Sequence, residues 1–248
     1  MDSKSRFSNR VENYIKYRPG YPKVAIDFLL KKLGLNIQSK IAEIGSGTGI
    51  FTKQIINSVG KIYAVEPNKE MREAAEKSLN QFNNFISVNA SAENTSLPDH
   101  SVDYIISAQA FHWFDRTYAK KEFNRILKNN GIVILIWNNR LFNTDFLKQY
   151  EILLKQYAND YNDVNHLLIT EKELSEFYNQ FQKITFPNKQ SFDHDGLIGR
   201  LLSASYVPLQ GEKNHDILFK EIEKIYRLYS KDEMIDFNYV TELYWGTI

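Results

Sequence analysis

Apolar positions in the first half of the chain alternate between two periods. Short apolar runs at Lys40–Ile44, Lys61–Val65, Phe85–Asn89, Val102–Ser107 and Ile132–Trp137 read as strands. Helical spacing fills the gaps: Phe51–Ser58, a stretch from Lys69 to Leu79 behind Asn68, and one from Asp115 through Leu127. Asn68 and Asp115 are N-cap residue types, whose side chains accept from unpaired N–H groups of a first turn. Asn129-Asn130-Gly131 reads as the stop of the third helix. Strand–helix alternation at this spacing predicts a parallel sheet wound by right-handed crossovers. Such sheets bind ligands at the carboxyl ends of their strands, beside the point where strand order reverses. That rule singles out Gly45–Gly49, Glu66, Ser91–Glu93 and Ser107–Phe114.

The second half has a different pattern. Phe142–Ala158 and Glu171–Gln180 carry helical spacing, and Lys183–Asp193 and Ile235–Tyr244 alternate with period two. Two more helical segments, from about Asp195 and from about Glu212, are separated by a turn at Pro208–Gly211. No internal repeat or linker interrupts the chain, so residues 1–248 are expected to form one domain. Within it, 1–38 is a helical N-terminal arm, 39–141 the core that carries the glycine loop, 142–182 a helical insertion, and 183–248 the closing strands and helices. The arm and the insertion lie outside the sheet, where either can cover a site.

Composition narrows the partners. The 31 basic and 30 acidic side chains nearly cancel, which gives no reason to expect a polyanion such as nucleic acid. No cysteine is present, which excludes disulfides and thiolate chemistry. The N-terminal stretch is polar and aromatic, without a secretory h-region, and no run approaches the roughly 18 apolar residues of a membrane span. The expectation is a soluble, cytoplasmic protein, monomeric or homodimeric. With 43% apolar residues and abundant Phe and Tyr, it can bury a sizeable core.

The strongest local signal is Glu43-Ile44-Gly45-Ser46-Gly47-Thr48-Gly49, where a strand turns into a helix. Glycine there permits positive φ and close approach of a ligand to backbone; the bland alternative is a tight turn without a ligand. A dinucleotide loop spaces its glycines G-x-G-x-x-G, but the third-glycine position here holds Ile50. No Gly-Lys-Ser/Thr follows, so the P-loop pattern fails as well. Glu43 would repel a pyrophosphate, yet it favours a ligand that carries an ammonium and a sulfonium. S-adenosylmethionine (SAM) carries both. Glu66, ending the next strand, is placed to accept from both ribose hydroxyls, a feature NAD and SAM sites share. Pro67 and Met71 offer apolar contact to an adenine, and Ala92-Glu93 a backbone amide and a carboxylate near its edge. Glu66 as an exposed strand-end charge, and Ala92-Glu93 as an ordinary loop, are the plain alternatives.

With these residues the sequence resembles the class I SAM-dependent methyltransferases. Glu43–Gly49 is similar to their first motif, Glu66-Pro67 to the acidic end of the second strand, and Ser91-Ala92-Glu93 with Leu97-Pro98 to the adenine loop. Ser101-Val102-Asp103 and Leu127–Ile134 resemble the starts of the fourth and fifth strands. The resemblance implies a Rossmann-like α/β fold: a seven-stranded, mostly parallel sheet with one antiparallel strand and helices on both faces. Lys183–Asp193 and Ile235–Tyr244 would be its last two strands. Phe7-Ser8, Tyr14, Tyr17-Arg18-Pro19, Tyr21-Pro22, Ala108–Phe114 and Ser203–Pro208 resemble a narrower subgroup related to trans-aconitate methyltransferases, which implies a small-molecule acceptor, in some members a carboxylate. That likeness implies an arm closing over SAM, with Tyr14 and Arg18 near its methionine end. Arg18 is then placed to pair with the SAM carboxylate.

Methyl transfer from a sulfonium is an in-line displacement that leaves S-adenosylhomocysteine. It needs the nucleophile held about 3 Å from the methyl carbon, in line with the breaking bond. Aromatic faces and oxygen dipoles suit the cationic group. Gln109–Phe114 follows the fourth strand, where the methyl group should lie. Gln109 is a cofactor contact there, and Phe111 and Trp113 are candidate walls of the acceptor pocket, with core packing as their alternative. His112 is a candidate general base for a hydroxyl or amine, or a hydrogen-bonding group for either ligand, or a histidine satisfied by backbone. A carboxylate acceptor is already ionised at neutral pH and needs no base. Orienting it would fall to Arg18, Arg140, Arg200, Ser203 or Tyr206. No metal site is expected, since the histidines are scattered and Asp193-His194-Asp195 is too compressed to close one unaided. An NAD(P)-dependent oxidoreductase, a non-catalytic SAM-binding module and an RNA methyltransferase are the competing readings. Ile50 and Glu43 oppose the first, and the charge balance opposes the last.

Overall fold

The computed structural model describes residues 10–161 and 169–248; Phe7 and Ser8 of the arm lie outside them. The strands are β1 (Lys40–Ile44), β2 (Lys61–Val65), β3 (Phe85–Val88), β4 (Val102–Ala108), β5 (Leu127–Arg140), β6 (Gln180–Phe192) and β7 (Ile235–Thr247). The helices are α1 (Val11–Tyr17), α2 (Lys23–Lys31), α3 (Ile50–Ile55), α4 (Lys69–Leu79), α5 (Arg116–Ile126), α6 (Asp145–Tyr157), α7 (Glu171–Phe177), α8 (His194–Leu202) and α9 (His215–Tyr229). The strands form one seven-stranded sheet in the order β3-β2-β1-β4-β5-β7-β6. β1 to β5 pair in parallel, and β7 runs antiparallel to both of its neighbours. This is the Rossmann-like sheet with one reversed strand that the sequence leads one to expect.

Strand periodicity sorts side chains to two faces. In β5, Val133, Leu135 and Trp137 pack on one side with Phe123 of α5 and Phe177 of α7, while Ile134 and Ile136 pack on the other with Leu29 of α2 and Ile55 of α3. A third apolar cluster joins α6, α8 and α9 to the far ends of β6 and β7, through Leu147, Tyr150, Leu197, Ile222 and Phe237. It forms a helical cap beyond the carboxyl ends of the parallel strands.

Several boundaries differ from the sequence reading. The Asn129–Gly131 stop is instead part of β5: α5 ends at Ile126 and the chain is extended from Leu127 onward. Asn130 takes φ +65°, and pairing with β4 shifts register between Val102 and Tyr104, so the Asn-Asn-Gly run makes a bulge rather than a cap. α7 stops at Phe177 and β6 begins at Gln180, because β7 continues to Thr247 and supplies pairing partners that far. α6 starts at Asp145, where the Thr144 side chain accepts from the Leu147 amide. α9 starts at His215, after Asn214 at φ +70°.

Phe111, expected as a pocket wall, is wholly buried in the sheet-side core. Its ring stands edge-on to Phe177 at 4.6 Å, Phe114 at 5.9 Å and Trp137 at 6.2 Å between centroids. Phe111→Ala is therefore expected to lower folding stability by about 3–5 kcal/mol. Urea denaturation reads this directly. A variant of parental stability with a selectively raised acceptor KM would return Phe111 to the pocket.

Candidate functional site

The carboxyl ends of β1, β2, β4 and β5 open into a cleft with two connected lobes, and Tyr14, Gly45, Gly47, Gln109 and Trp113 line both. The glycine loop forms its floor. The amides of Gly45 and Ser46 both donate to the Val65 carbonyl, at 2.9 and 3.1 Å, which folds the loop back onto β2. Gly45 has φ +71°, and a Cβ there would meet the Ala110 Cβ at 2.4 Å. Gly49, at φ +79°, caps α3 and lies against Leu79 of α4; it lines neither lobe. Its role is to fit the loop to α4 rather than to face the cleft.

The first lobe is lined by Glu66, Pro67, Met71, Ala92 and Glu93. Glu66 is buried, with one oxygen accepting from the Gly47 amide at 2.9 Å and the other from the Asn68 amide at 2.8 Å. Each oxygen retains acceptor capacity toward the lobe. Burial raises the Glu66 pKa, and these two backbone bonds and Arg72 oppose the shift. Asn68 also caps α4 through the Met71 amide, so one residue positions both the carboxylate and the apolar Met71. Glu93 accepts from the Asp115 amide at 3.0 Å, which ties this loop to the start of α5.

The second lobe carries a different chemistry. Glu43 lies at its floor, buried and bonded to the Thr52 hydroxyl. Burial pushes its pKa up to about 8, the Thr52 bond opposes this, and Glu66 adds to it. The hydroxyls of Ser46 and Thr48 are buried and have no hydrogen-bond partner among the described residues. The same lobe is lined by Arg18, Arg140, Arg200, Tyr161, Tyr206 and Tyr239. Arg140 is charge-balanced, since Glu151 of α6 accepts from it at 2.5 Å. Arg18 donates to the Ser203 carbonyl at 3.0 Å, and Arg200 to the Tyr239 hydroxyl at 3.3 Å. Neither of these two pairs with a carboxylate among the described residues; burial and then Arg200 lower the Arg18 pKa. His112 also lines this lobe, with its ring 4.7 Å from that of Trp113. Ser203 does not reach the cleft: it is fully buried, and its hydroxyl donates to the Arg200 carbonyl at 2.7 Å.

A family profile described as "Methyltransferase domain" matches residues 42–135. The uncharacterized methyltransferase C25B8.09 of Schizosaccharomyces pombe is 31% identical over 247 residues, covering 96% of this chain and 95% of the relative. The chain belongs to the SAM-dependent methyltransferase family. A methyltransferase-like protein of the same yeast, C25B8.10, is 37% identical over 155 residues, and that match spans 62% of this methyltransferase and 59% of the relative. The crystal structure of YcgJ from Bacillus subtilis shares the fold at a TM-score of 0.61 and 18% identity, covering 92% of this chain and all of the other.

Several residues of this methyltransferase escaped the sequence reading. Gln54 of α3 brackets Tyr21, accepting from its amide at 2.8 Å and donating to its carbonyl at 2.7 Å. Asn138, near the end of β5, lines the second lobe; its side chain donates to the Gly20 carbonyl at 3.2 Å and accepts from Asn188 at 3.1 Å. A signal for Asn138 was present, since polar residues follow the apolar run of β5 at the carboxyl end of the sheet. Gln54, Asn188 and Tyr239 gave none, because partners distant in sequence decide their places. Among the described residues no helix is long and apolar enough to cross a membrane, and no group of potential metal ligands gathers.

Proposed function

We propose that this methyltransferase transfers the SAM methyl group to a small carboxylate, with adenosine in the first lobe and the acceptor in the second. The supporting observation is the polarity of the second lobe: Arg18 and Arg200 face it without a carboxylate partner among the described residues, and the buried Nε atoms of Arg18 and Arg140 lack acceptors there. Buried donors without acceptors favour an anionic, oxygen-rich ligand. The resemblance of the arm and of Ser203–Pro208 to trans-aconitate-related methyltransferases implies the same class.

The residues of the first lobe fit SAM. Glu66 offers acceptors for ribose hydroxyls and Met71 and Pro67 an apolar face for adenine, while Ser46 and Thr48, at the adjoining part of the second lobe, offer hydroxyls toward an amino acid end. When bound, SAM supplies an electrophilic methyl group on a sulfonium. Glu43 offsets positive charge near the loop, and Tyr14, Gln109 and Trp113 stand where the lobes meet, so they wall the passage between cofactor and acceptor. Arg200 and Arg18 orient the acceptor, whose carboxylate oxygen is the nucleophile and gives up no proton. His112 then serves as a hydrogen-bonding wall and no general base is required.

The test pairs calorimetric titration with SAM and a screen of small mono-, di- and tricarboxylates, with methyl esters detected by mass spectrometry. Ester formation on a carboxylate supports the reading. Turnover confined to neutral alcohols or amines overturns it and makes His112 the base.

Glu43 gives this reading a pH signature. Its pKa of about 8 in the ligand-free protein means that the folded chain holds a proton which the unfolded chain releases near 4.5. Raising pH through that interval therefore destabilises the ligand-free protein. A cationic ligand favours the carboxylate, so SAM affinity is expected to rise from pH 6 toward 8, with proton release. Calorimetry in two buffers of different ionisation enthalpy measures this; SAM binding that takes up protons would contradict it.

A further inference from the structure

Arg200, at the acceptor end of the cleft, begins an unbroken run of hydrogen bonds. Its Nε donates to the Tyr239 hydroxyl at 3.3 Å, Tyr239 donates to Gln190 Oε1 at 3.1 Å, and Gln190 Nε2 donates to the Tyr17 carbonyl at 3.2 Å. Arginine is only a donor and a peptide carbonyl only an acceptor, so the two ends fix the direction of every bond between them. Bonds aligned in one sense polarise one another. The β6–β7 register explains the meeting: Gln190 pairs with Phe237 and Asn188 with Tyr239, which places Gln190 diagonal to Tyr239 on one face.

The run ends on α1, the helix that roofs the cleft. Tyr17 terminates α1, Tyr14 one turn earlier lines both lobes, and Arg18 directly follows. Here α1 is seated closely on α8: a Cβ on Gly199 would lie 1.9 Å from the Tyr17 ring. Arg200 belongs to the same helix α8. Gln190 itself lines neither lobe.

We infer that Gln190 is a positioning residue that couples an anion bound at Arg200 to closure of α1 over the glycine loop, so that acceptor and cofactor tighten each other's binding. The inference rests on the carboxylate reading above. An anion on Arg200 fixes the plane of the guanidinium, and thereby the Tyr239 hydroxyl, the Gln190 amide and the end of α1 that carries Arg18. Such coupling is reciprocal between the two ligands.

The experiment titrates the full chain with S-adenosylhomocysteine by calorimetry, with and without saturating citrate as the anionic probe, for the parent, Gln190→Glu and Tyr239→Phe. In the parent, citrate is expected to tighten S-adenosylhomocysteine binding about fivefold or more. Gln190→Glu keeps the side-chain shape but sets a carboxylate oxygen against the Tyr17 carbonyl. Tyr239→Phe keeps the ring and removes only the hydroxyl link. Both variants are expected to reduce the citrate effect to within about twofold of none, on the scale of typical couplings. If one variant fails to fold, the other carries the test. Trypsin cleavage after Lys16, slowed in the parent only when both ligands are present, gives a second readout of closure. An equal loss of affinity with and without citrate marks a plain structural anchor and overturns the inference. So does S-adenosylhomocysteine binding in the parent that citrate leaves unchanged. No binding of S-adenosylhomocysteine at all removes the cofactor reading first, and this inference with it.

Discussion

Glu66→Ala is expected to weaken SAM binding by roughly two to four orders of magnitude, because two hydrogen bonds to a buried carboxylate are lost at about 1.5–3 kcal/mol each. The geometry sharpens the expectation. The carboxylate holds the Gly47 and Asn68 amides while presenting acceptor capacity to the first lobe, so its removal also leaves two backbone donors unpaired. Calorimetric titration with SAM is the measurement. Glu66→Gln separates the two effects: it keeps an acceptor but turns an NH2 group toward one of the amides. A Glu66→Ala variant that binds SAM as tightly as the parent would return this carboxylate to a structural role and leave the first lobe without its ribose contact.

Arg200→Met is expected to lower kcat/KM for a carboxylate acceptor by roughly 100- to 1,000-fold, the scale for truncating one partner of a buried charge pair. Methionine fills much of the stem's volume, so packing against Phe237, 6.0 Å from the guanidinium, is largely kept. SAM affinity measured without acceptor should change far less than it does in Glu66→Ala. Arg200→Lys should recover only part of the loss, since an ammonium retains the charge without the planar fork. Steady-state kinetics of the three proteins decide the matter: an unchanged kcat/KM in Arg200→Met, or full recovery in Arg200→Lys, argues against oriented capture of the anion. Arg140→Met is the useful contrast. Arg140 is paired with Glu151, so its removal leaves that buried carboxylate with only the more exposed Lys155 as a cationic partner and should act on stability as well as on the acceptor.

The two halves of the cleft were unequally legible in the sequence. The facing of Gly45–Gly47 and Glu66 follows from local rules: a glycine turn after one strand, a carboxylate ending the next, and Asn68 capping the helix behind it. Nearby residues fix each of these. The second lobe depends on antiparallel pairing over long separations, with Asn188 opposite Tyr239 and Asn138 opposite Thr241. No window of sequence shows which polar side chains such pairing will bring together. Phe111 shows a different limit. Beside Trp113 it looks like the same kind of pocket residue, and only the direction of the short turn at Phe111–Trp113 sends one ring into the core and the other into the cleft. The Asn129–Gly131 run shows a third, because residues that stop a helix also make a bulge, and the β4 neighbour decides between the two.

The reversed strand β7 has a consequence for the order of assembly. β6 joins the sheet through β7 and has no other strand beside it among the described residues, so β6 reaches the sheet only together with β7 or after it. The glycine loop needs only β1, β2 and β4, which lie close together in the chain. Ordering the short loops early and the distant pairings late follows the entropy of loop closure. A refolding chain should therefore protect the amides of β1 and β2 from hydrogen exchange before those of β6, and it should acquire the floor of the cleft before the wall that holds Arg200.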